Sequence, residues 1–194
     1  MPGYVLVNFL LYCVINAFTP GPGNILALNT VTNYGWRRGR PLFFGIFAGY
    51  YVVQILCALF VYGVSAFLPG MLNVLKYLGA AYILFLAIHI AVSRPEEENT
   101  EKSASYLKGF LLQFVNIKIY LFGITALSGF ITDYSTALPV LVAAELFIAT
   151  LGSIATGTWI ALGMLIQKFY RKHYRPINII LALTLVECIV SILR

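Results

Sequence analysis

A six-residue break in the first apolar segment limits the fold more than any other feature of the sequence. The segment otherwise has the composition of a membrane helix, and its break consists of Thr19, Pro20, Gly21, Pro22, Gly23 and Asn24. The prolines remove backbone donors and clash with the preceding turn, and glycine adds backbone freedom, so an α-helix cannot continue through these residues. A helix broken at membrane depth exposes backbone polar groups, which is tolerated only where they face protein or a water-filled cavity.

The composition indicates an integral membrane protein. Of the 194 residues, 60% are hydrophobic and only 10% are charged, whereas a soluble domain is about a quarter charged. The net charge of +6 does not predict a nucleic-acid partner, because the basic residues lie in short loops between apolar segments. The expected surroundings are therefore a lipid bilayer.

Hydropathy and length predict an all-α fold with six transmembrane helices, the first of them broken. A span needs about 20 apolar residues. The predicted spans are, approximately, Tyr4 to Thr32, Leu42 to Val64, Met71 to Val92, Gly109 to Ile131, Ala137 to Ile166 and Ile177 to Leu193. Pro69-Gly70 is expected to form a tight turn between the second and third spans.

The basic residues predict the orientation, because cytoplasmic loops carry an excess of Lys and Arg. Ten of the thirteen basic residues fall in three loops, and the loops after spans two and four hold none. The ten are Arg37, Arg38 and Arg40 after span one; Arg94, Lys102 and Lys108 after span three; and Lys168, Arg171, Lys172 and Arg175 after span five. These loops are expected to be cytoplasmic, with both termini outside.

Six spans divide into two halves of three, and an odd number per half inverts the second relative to the first. We expect one transporter domain over 1–194, with repeat one at about 1–92, a cytoplasmic loop at about 93–108 and repeat two at about 109–194. Inverted repeats with a site near the midplane are a common transporter plan. The broken span and the fourth span, with Asn116 and Lys118, begin the two halves.

Three charged residues lie deep in predicted spans: Lys118, Glu145 and Glu187. Charges at this depth cost at least about 2.5 kcal/mol each on insertion scales, so they normally face the bundle interior and find partners. A lysine and a carboxylate at one depth could form a structural ion pair or part of a proton relay. Both readings remain open for these residues.

Helical spacing predicts which way the two carboxylates point. Glu145 begins a row of mostly small residues at every fourth position, ending at Ala161, which lets helices approach closely. Glu187 belongs to a partly polar stripe from Ile180 to Ser191. Both carboxylates are therefore expected to point inward.

Thr19 and Asn24 bracket the break and have two readings. Both could cap freed backbone groups. Alternatively, the helix start near Asn24 presents amide donors and a positive dipole end to an anionic or zwitterionic ligand. The three cysteines lie in apolar segments and are expected to be small buried hydrophobes; no disulfide framework, metal site, cofactor or catalytic residue is predicted.

The break resembles the signature of the lysine-exporter (LysE/RhtB) superfamily of amino-acid exporters. Gly35-Trp36-Arg37-Arg38-Gly39 and the run from Leu78 to Leu86 are similar to it too. The strings Gln113 to Lys118 and Tyr120 to Ser128 resemble the cysteine/O-acetylserine exporter branch. The resemblance implies export of small neutral amino acids such as cysteine and O-acetylserine by proton antiport across a bacterial inner membrane.

Two departures from the superfamily pattern affect the predicted site. Many members have Asn-Pro-Lys where this chain has Asn116-Ile117-Lys118, and many have an acidic residue where this chain has Tyr50. If that acidic residue carries protons elsewhere, another group must do so here. Glu145 and Glu187 are the candidates, on depth and periodicity alone.

The predicted protein is therefore a multi-pass amino-acid exporter and not an enzyme. Thr19 to Asn24, Asn116 and Lys118 are expected to bind substrate, and Glu145 or Glu187 to take the coupling proton. The alternatives are export of other amino acids of the homoserine, threonine, leucine or lysine type, a membrane-embedded enzyme, a passive channel or a lipid-handling protein. Assembly into a homo-oligomer is left open.

Overall fold

The computed structural model describes residues 2–63, 68–93 and 104–193, and all regular secondary structure in these residues is helical. The helices are α1 (Gly3–Phe18), α2 (Pro22–Gly63), α3 (Leu68–Val92), α4 (Tyr106–Val115), α5 (Ile117–Ala126) and α6 (Leu138–Leu193); a π-helical turn (Leu127–Ile131) follows α5. The predicted all-α fold is confirmed. Most of the predicted loop at about 93–108, including Arg94 and Lys102, lies outside the described residues.

The predicted break in the first span is confirmed. Helix α1 ends at Phe18 and α2 begins at Pro22. Proline suits the first position of a helix, because its missing N–H would have no intrahelical partner there. The Ile25 amide donates to the Gly21 carbonyl at 2.9 Å, which closes the first turn of α2.

Two helices are long enough to cross a bilayer more than once. Helix α2 has 42 residues with a kink at Gly35, and α6 has 56 residues with a kink at His173. At about 1.5 Å per residue, each is at least twice the roughly 30 Å hydrocarbon thickness. The breaks expected after spans one and five are present, because Gly35 and His173 interrupt the helical geometry between the predicted spans, although the residues on either side of each are helical. Gly35 has a φ of 72°, which glycine adopts without a steric penalty.

The fourth span is also broken. Helices α4 and α5 meet at Asn116 with a bend of 56°, and the Asn116 backbone has φ −85° and ψ 85°. In the part of the chain that the structure describes, this bent pair, α2 and α6 meet the length and hydropathy requirements of a membrane span. The predicted turn at Pro69-Gly70 is wrong, because both residues lie in the first turn of α3, where proline is tolerated.

Glycines bring α2 and α4 together backbone to backbone. A Cβ on Gly109 would lie 2.2 Å from the Leu42 carbonyl oxygen, and one on Gly45 would lie 2.1 Å from the Tyr106 carbonyl oxygen. A Cβ on Gly49 would lie 2.7 Å from the Phe110 carbonyl oxygen. Small residues allow this approach in membrane bundles, so the interface fixes α4 against the long second helix.

The outer surface is apolar. On α1 only Phe9, Cys13 and Ala17 are buried, and they recur every fourth residue along one stripe. Large apolar side chains on the rest of that helix are exposed, such as Tyr4 at 71% and Ile15 at 64%. A bilayer covers such a surface at no hydrophobic cost, in agreement with the composition.

Candidate functional site

The break at the end of α1 frees carbonyl groups, and side chains from elsewhere in the chain cap them. The Asn24 amide nitrogen donates to the Ala17 carbonyl at 3.0 Å and to the Thr19 carbonyl at 3.3 Å. The Asn24 oxygen accepts from the Thr156 hydroxyl at 2.7 Å, which ties the break to α6. The Trp159 indole donates to the Phe18 carbonyl at 3.2 Å. Asn24 therefore has the capping role predicted from its position.

Lys118 completes this capping from the second broken span. Its ammonium donates to the Thr19 carbonyl at 2.9 Å and to the Pro20 carbonyl at 3.3 Å. These carbonyls follow the C-terminal end of α1, where the helix dipole favours a cation. Gly21 leaves room for the side chain, because a Cβ there would lie 2.9 Å from Lys118 Cδ. The structure thus brings Lys118 directly against the predicted motif.

A cavity of about 280 Å³ opens beside this contact. Its wall includes Thr19 and Pro20 of the break and Lys118 of α5. Glu187 and Cys188 of α6 line it too, and the Cys188 thiol lies 3.8 Å from the Pro20 carbonyl oxygen. The cavity therefore holds one cationic and one anionic side chain in a space suited to a small ligand.

Glu187 lies in this cavity but is not buried. Its side chain is exposed, and the buried positions of that part of α6 are Asn178, Leu181, Ala182 and Leu185. The expected inward stripe from Ile180 is therefore wrong, since Ile180 itself is 62% exposed. Among the hydrogen bonds of described residues, Lys118 uses backbone carbonyls, and Glu187 is not one of its partners.

A smaller polar chamber lies between the two breaks. It measures about 20 Å³ and is lined by Asn24, Asn116, Lys118, Tyr50 and Thr156, among others. That volume is about what one water molecule needs. Tyr50 thus lies beside the predicted binding residues. The chamber is too small for an amino acid in this conformation.

Asn116 turns the chain at the second break. Its amide nitrogen donates to the Gln113 side-chain oxygen at 3.4 Å, and its backbone N–H donates to the Gln113 carbonyl at 3.3 Å. Both side chains are buried, and the Gln113 nitrogen and the Asn116 oxygen have no hydrogen-bond partner among the described residues. Gln113 also packs against Gly23, where a Cβ would lie 3.4 Å from its nitrogen.

Glu145 does not line either of these two spaces. It is fully buried on α6, and neither carboxyl oxygen has a hydrogen-bond partner among the described residues. The expected row of small residues is only partly buried: Ala149 is buried, whereas Ala161 is exposed. A strict four-residue repeat rotates about 40° per step, so the row leaves the packed face by its fourth step.

A buried polar cluster lies on the other side of the breaks. Tyr170 donates to Asn178 at 2.8 Å and contacts Asn33 at 3.3 Å. Asn29 donates to Tyr170 at 3.4 Å and to Ser93 at 3.3 Å, and Asn178 donates to the Ser93 carbonyl at 2.9 Å. The cluster joins α2, the end of α3 and both segments of α6. No sequence motif indicated these residues as a group.

The comparison with known proteins agrees with this arrangement. The family model described as LysE type translocator matches residues 14–191. That match includes both breaks, the polar cluster and every residue that lines the cavity except Tyr12. The chain belongs to the LysE type translocator family. No solved structure matches the chain significantly.

Curated relatives of this LysE-family protein extend over nearly its whole length. It is 39% identical over 193 residues to a protein of Shigella flexneri serotype 5b (strain 8401), covering 99% of both chains. It is 39% identical over 189 residues to a protein of Escherichia coli (strain K12), covering 97% of both chains. Both relatives are named cysteine/O-acetylserine efflux protein. The family assignment confirms a helical membrane transporter that exports amino acids.

Proposed function

We propose that this LysE-family exporter carries cysteine, O-acetylserine and similar small neutral amino acids out of the cytoplasm by proton antiport. The substrate class is that in the names of the relatives. The observation that carries the proposal is the 280 Å³ cavity with Lys118 and Glu187 on its wall. A neutral amino acid is a zwitterion, and this cavity offers it one group of each sign.

Lys118 is placed to receive the substrate carboxylate. An ammonium has three N–H donors, and the carbonyls of Thr19 and Pro20 use two of them. The third donor is available to a carboxylate, and the hydrogen bonds to the two carbonyls of the break can remain in place. The backbone amides of Gly23 and Asn24, at the start of α2, would add a favourable dipole once the chamber beside them widens.

Glu187 is placed to receive the substrate ammonium. Its side chain lines the same cavity and is exposed there, so a ligand in the cavity can reach its carboxyl group. Cys188 and Thr125 line the cavity as well. They provide small, weakly polar contacts for a thiol or ester side chain.

The proposed topology places both termini on the periplasmic side of a bacterial inner membrane, as the basic loops predict. The cavity and the basic residues Arg37 and Lys172 lie on opposite sides of the breaks. The cavity is therefore the outward-facing half of the site. The buried cluster around Tyr170 closes the cytoplasmic half. The two broken spans begin two inverted halves, whose rocking about the breaks provides alternating access.

Purified protein in sealed proteoliposomes tests the proposal by counterflow. Vesicles loaded with unlabelled cysteine or O-acetylserine should take up the labelled compound, whereas an enzyme would convert it without exchange. Loss of the charge in Lys118→Met removes a charge-assisted contact of about 1.5–3 kcal/mol, so the apparent substrate affinity should fall about 10- to 100-fold.

A matched control separates this effect from a general loss of charge. Lys168→Met removes a lysine whose side chain is exposed near the middle of α6, just before the kink at His173, and it should keep normal exchange. Glu187→Gln should weaken binding as Lys118→Met does. Unchanged affinity in both cavity variants would contradict the assigned site, and absence of exchange by the wild-type protein would contradict the function.

A further inference from the structure

A second buried polar site lies on Gly123, away from the substrate cavity. A Cβ on Gly123 would lie 2.6 Å from the Gln54 side-chain oxygen and 2.7 and 3.0 Å from the two Glu145 oxygens. Gln54 of α2 and Glu145 of α6 thus meet above Gly123 of α5, which leaves space for them because it has no side chain. Both Gln54 and Glu145 are fully buried.

None of the polar atoms of these two side chains has a hydrogen-bond partner among the described residues. A buried polar group without a partner normally costs about 1–3 kcal/mol, and native structures contain few of them. Two such side chains that share one small space indicate a site with a transient ligand. A metal ion cannot occupy the shared point, because a Cβ position is only about 1.5 Å from its Cα.

We propose that Glu145 carries the coupling proton and that Gln54 is its positioning partner. This inference rests on the proposed proton antiport and assigns its proton to one residue. The protonated carboxyl donates to the Gln54 oxygen, and the carboxylate accepts from the Gln54 amide nitrogen after the amide turns over. The Gln54 side-chain amide can thus form a hydrogen bond with both the protonated and the ionised carboxyl. A proton carrier inside a membrane needs a partner for both forms.

Among the residues that the structure describes, no cation holds the carboxylate permanently charged. The titratable groups of described residues that interact with Glu145 are Tyr12 and Cys13 on α1, and Tyr50 and Cys57 on α2. Tyrosine and cysteine are ordinarily neutral at pH 7. Helix α5 contributes Gly123 to this site, which has no side chain.

Tyr50 connects the proton site to the chamber that adjoins Lys118 of the substrate cavity. It lies one helical turn before Gln54, on the same side of α2, and it lines the chamber between the breaks together with Lys118. Its ring packs on α6, where a Cβ on Gly152 would lie 2.5 Å from it. A change in the chamber on substrate binding therefore reaches Gln54 and Glu145 through one side chain.

Proteoliposomes with an imposed pH gradient test the inference. With a lumen two pH units more acidic than the medium and the membrane potential clamped, one proton per substrate allows the wild-type protein up to about 100-fold accumulation of labelled cysteine, because each pH unit is a tenfold ratio. Glu145→Gln neither binds nor releases a proton, so its accumulation should fall to about 1-fold. Counterflow without a gradient should stay within several-fold of wild type.

Two further variants keep the test decisive. Gln54→Met removes the two-way partner but no charge, and should reduce accumulation below about 10-fold while counterflow persists. Asp133→Asn removes an exposed carboxylate and should leave accumulation and counterflow unchanged. Substrate-dependent thermal stabilisation in detergent shows which variants are folded. If Glu145→Gln is not folded, the accumulation measured for Gln54→Met tests the proton assignment.

The outcomes separate this inference from the proposed function. Wild-type accumulation by a folded Glu145→Gln or Gln54→Met variant overturns the proton assignment and leaves the exporter intact. Accumulation driven by a sodium gradient instead of a pH gradient overturns both the proton assignment and the proposed proton coupling, and leaves the proposed export of cysteine intact. Failure of the wild-type protein in counterflow overturns the proposed function itself.

Discussion

Replacing Tyr170 by Phe measures how much the buried polar cluster stabilises the folded protein. The substitution keeps the packing of a fully buried ring and removes one hydroxyl. That hydroxyl donates to Asn178 at 2.8 Å and accepts from Asn29 at 3.4 Å. Each neutral hydrogen bond contributes about 0.5–1.5 kcal/mol, and an unsatisfied buried oxygen costs about 1–3 kcal/mol. Because Asn178 is fully buried, we expect a loss of about 2 kcal/mol.

Thermal unfolding in detergent measures this loss. For a chain of this size, 2 kcal/mol corresponds to a decrease of about 4–8 °C in Tm. Tyr174→Phe is the matched control, because Tyr174 lies one turn away on α6 and its hydroxyl is not hydrogen-bonded to any described residue; it should change Tm by less than 2 °C on the same scale. Equal Tm values for the two variants would refute the reasoning from hydrogen bonds.

Two other substitutions test the contacts that hold the breaks in place. Thr156→Val keeps the side-chain shape but removes the donor to Asn24 at 2.7 Å, so we expect a loss of about 1–3 kcal/mol in unfolding free energy; a neutral effect on Tm would show that this bond does not secure the break. Gly109→Ala places a Cβ 2.2 Å from the Leu42 carbonyl oxygen, which forces α4 away from α2. Strain of this kind costs about 1–3 kcal/mol, and wild-type stability together with wild-type counterflow would contradict the packing described.

The sequence predicted the features that depend on local chemistry. Two prolines and two glycines in six residues break any helix, so the first break followed from composition. The burial of Glu145 followed from its depth, because a charge in that position needs protein around it.

The features that sequence reasoning missed depend on contacts between distant segments. Asn116 breaks the fourth span without a proline, and its turn relies on the Gln113 side chain and on the fixed position of α4. Gln54 reads as an isolated polar residue in an apolar helix, and only the fold places it opposite Glu145. The interruption expected near Arg37 is shorter than a loop, because Gly35 alone absorbs the change of direction.

The position of Lys118 was predicted from the sequence, but its contacts were not. Sequence reasoning placed it near the first break, which the structure confirms. It could not foresee that the ammonium would bind the carbonyls of Thr19 and Pro20, since that contact joins residues about 100 positions apart. The contact makes Lys118 part of the break itself.

The most direct measurement is counterflow of labelled cysteine into sealed proteoliposomes that contain the wild-type protein or the Lys118→Met variant. We expect saturable exchange by the wild-type protein. For the variant, at a protein content matched to wild type, we expect an apparent affinity about 10- to 100-fold weaker. Wild-type vesicles that exchange neither cysteine nor O-acetylserine would contradict the proposed export.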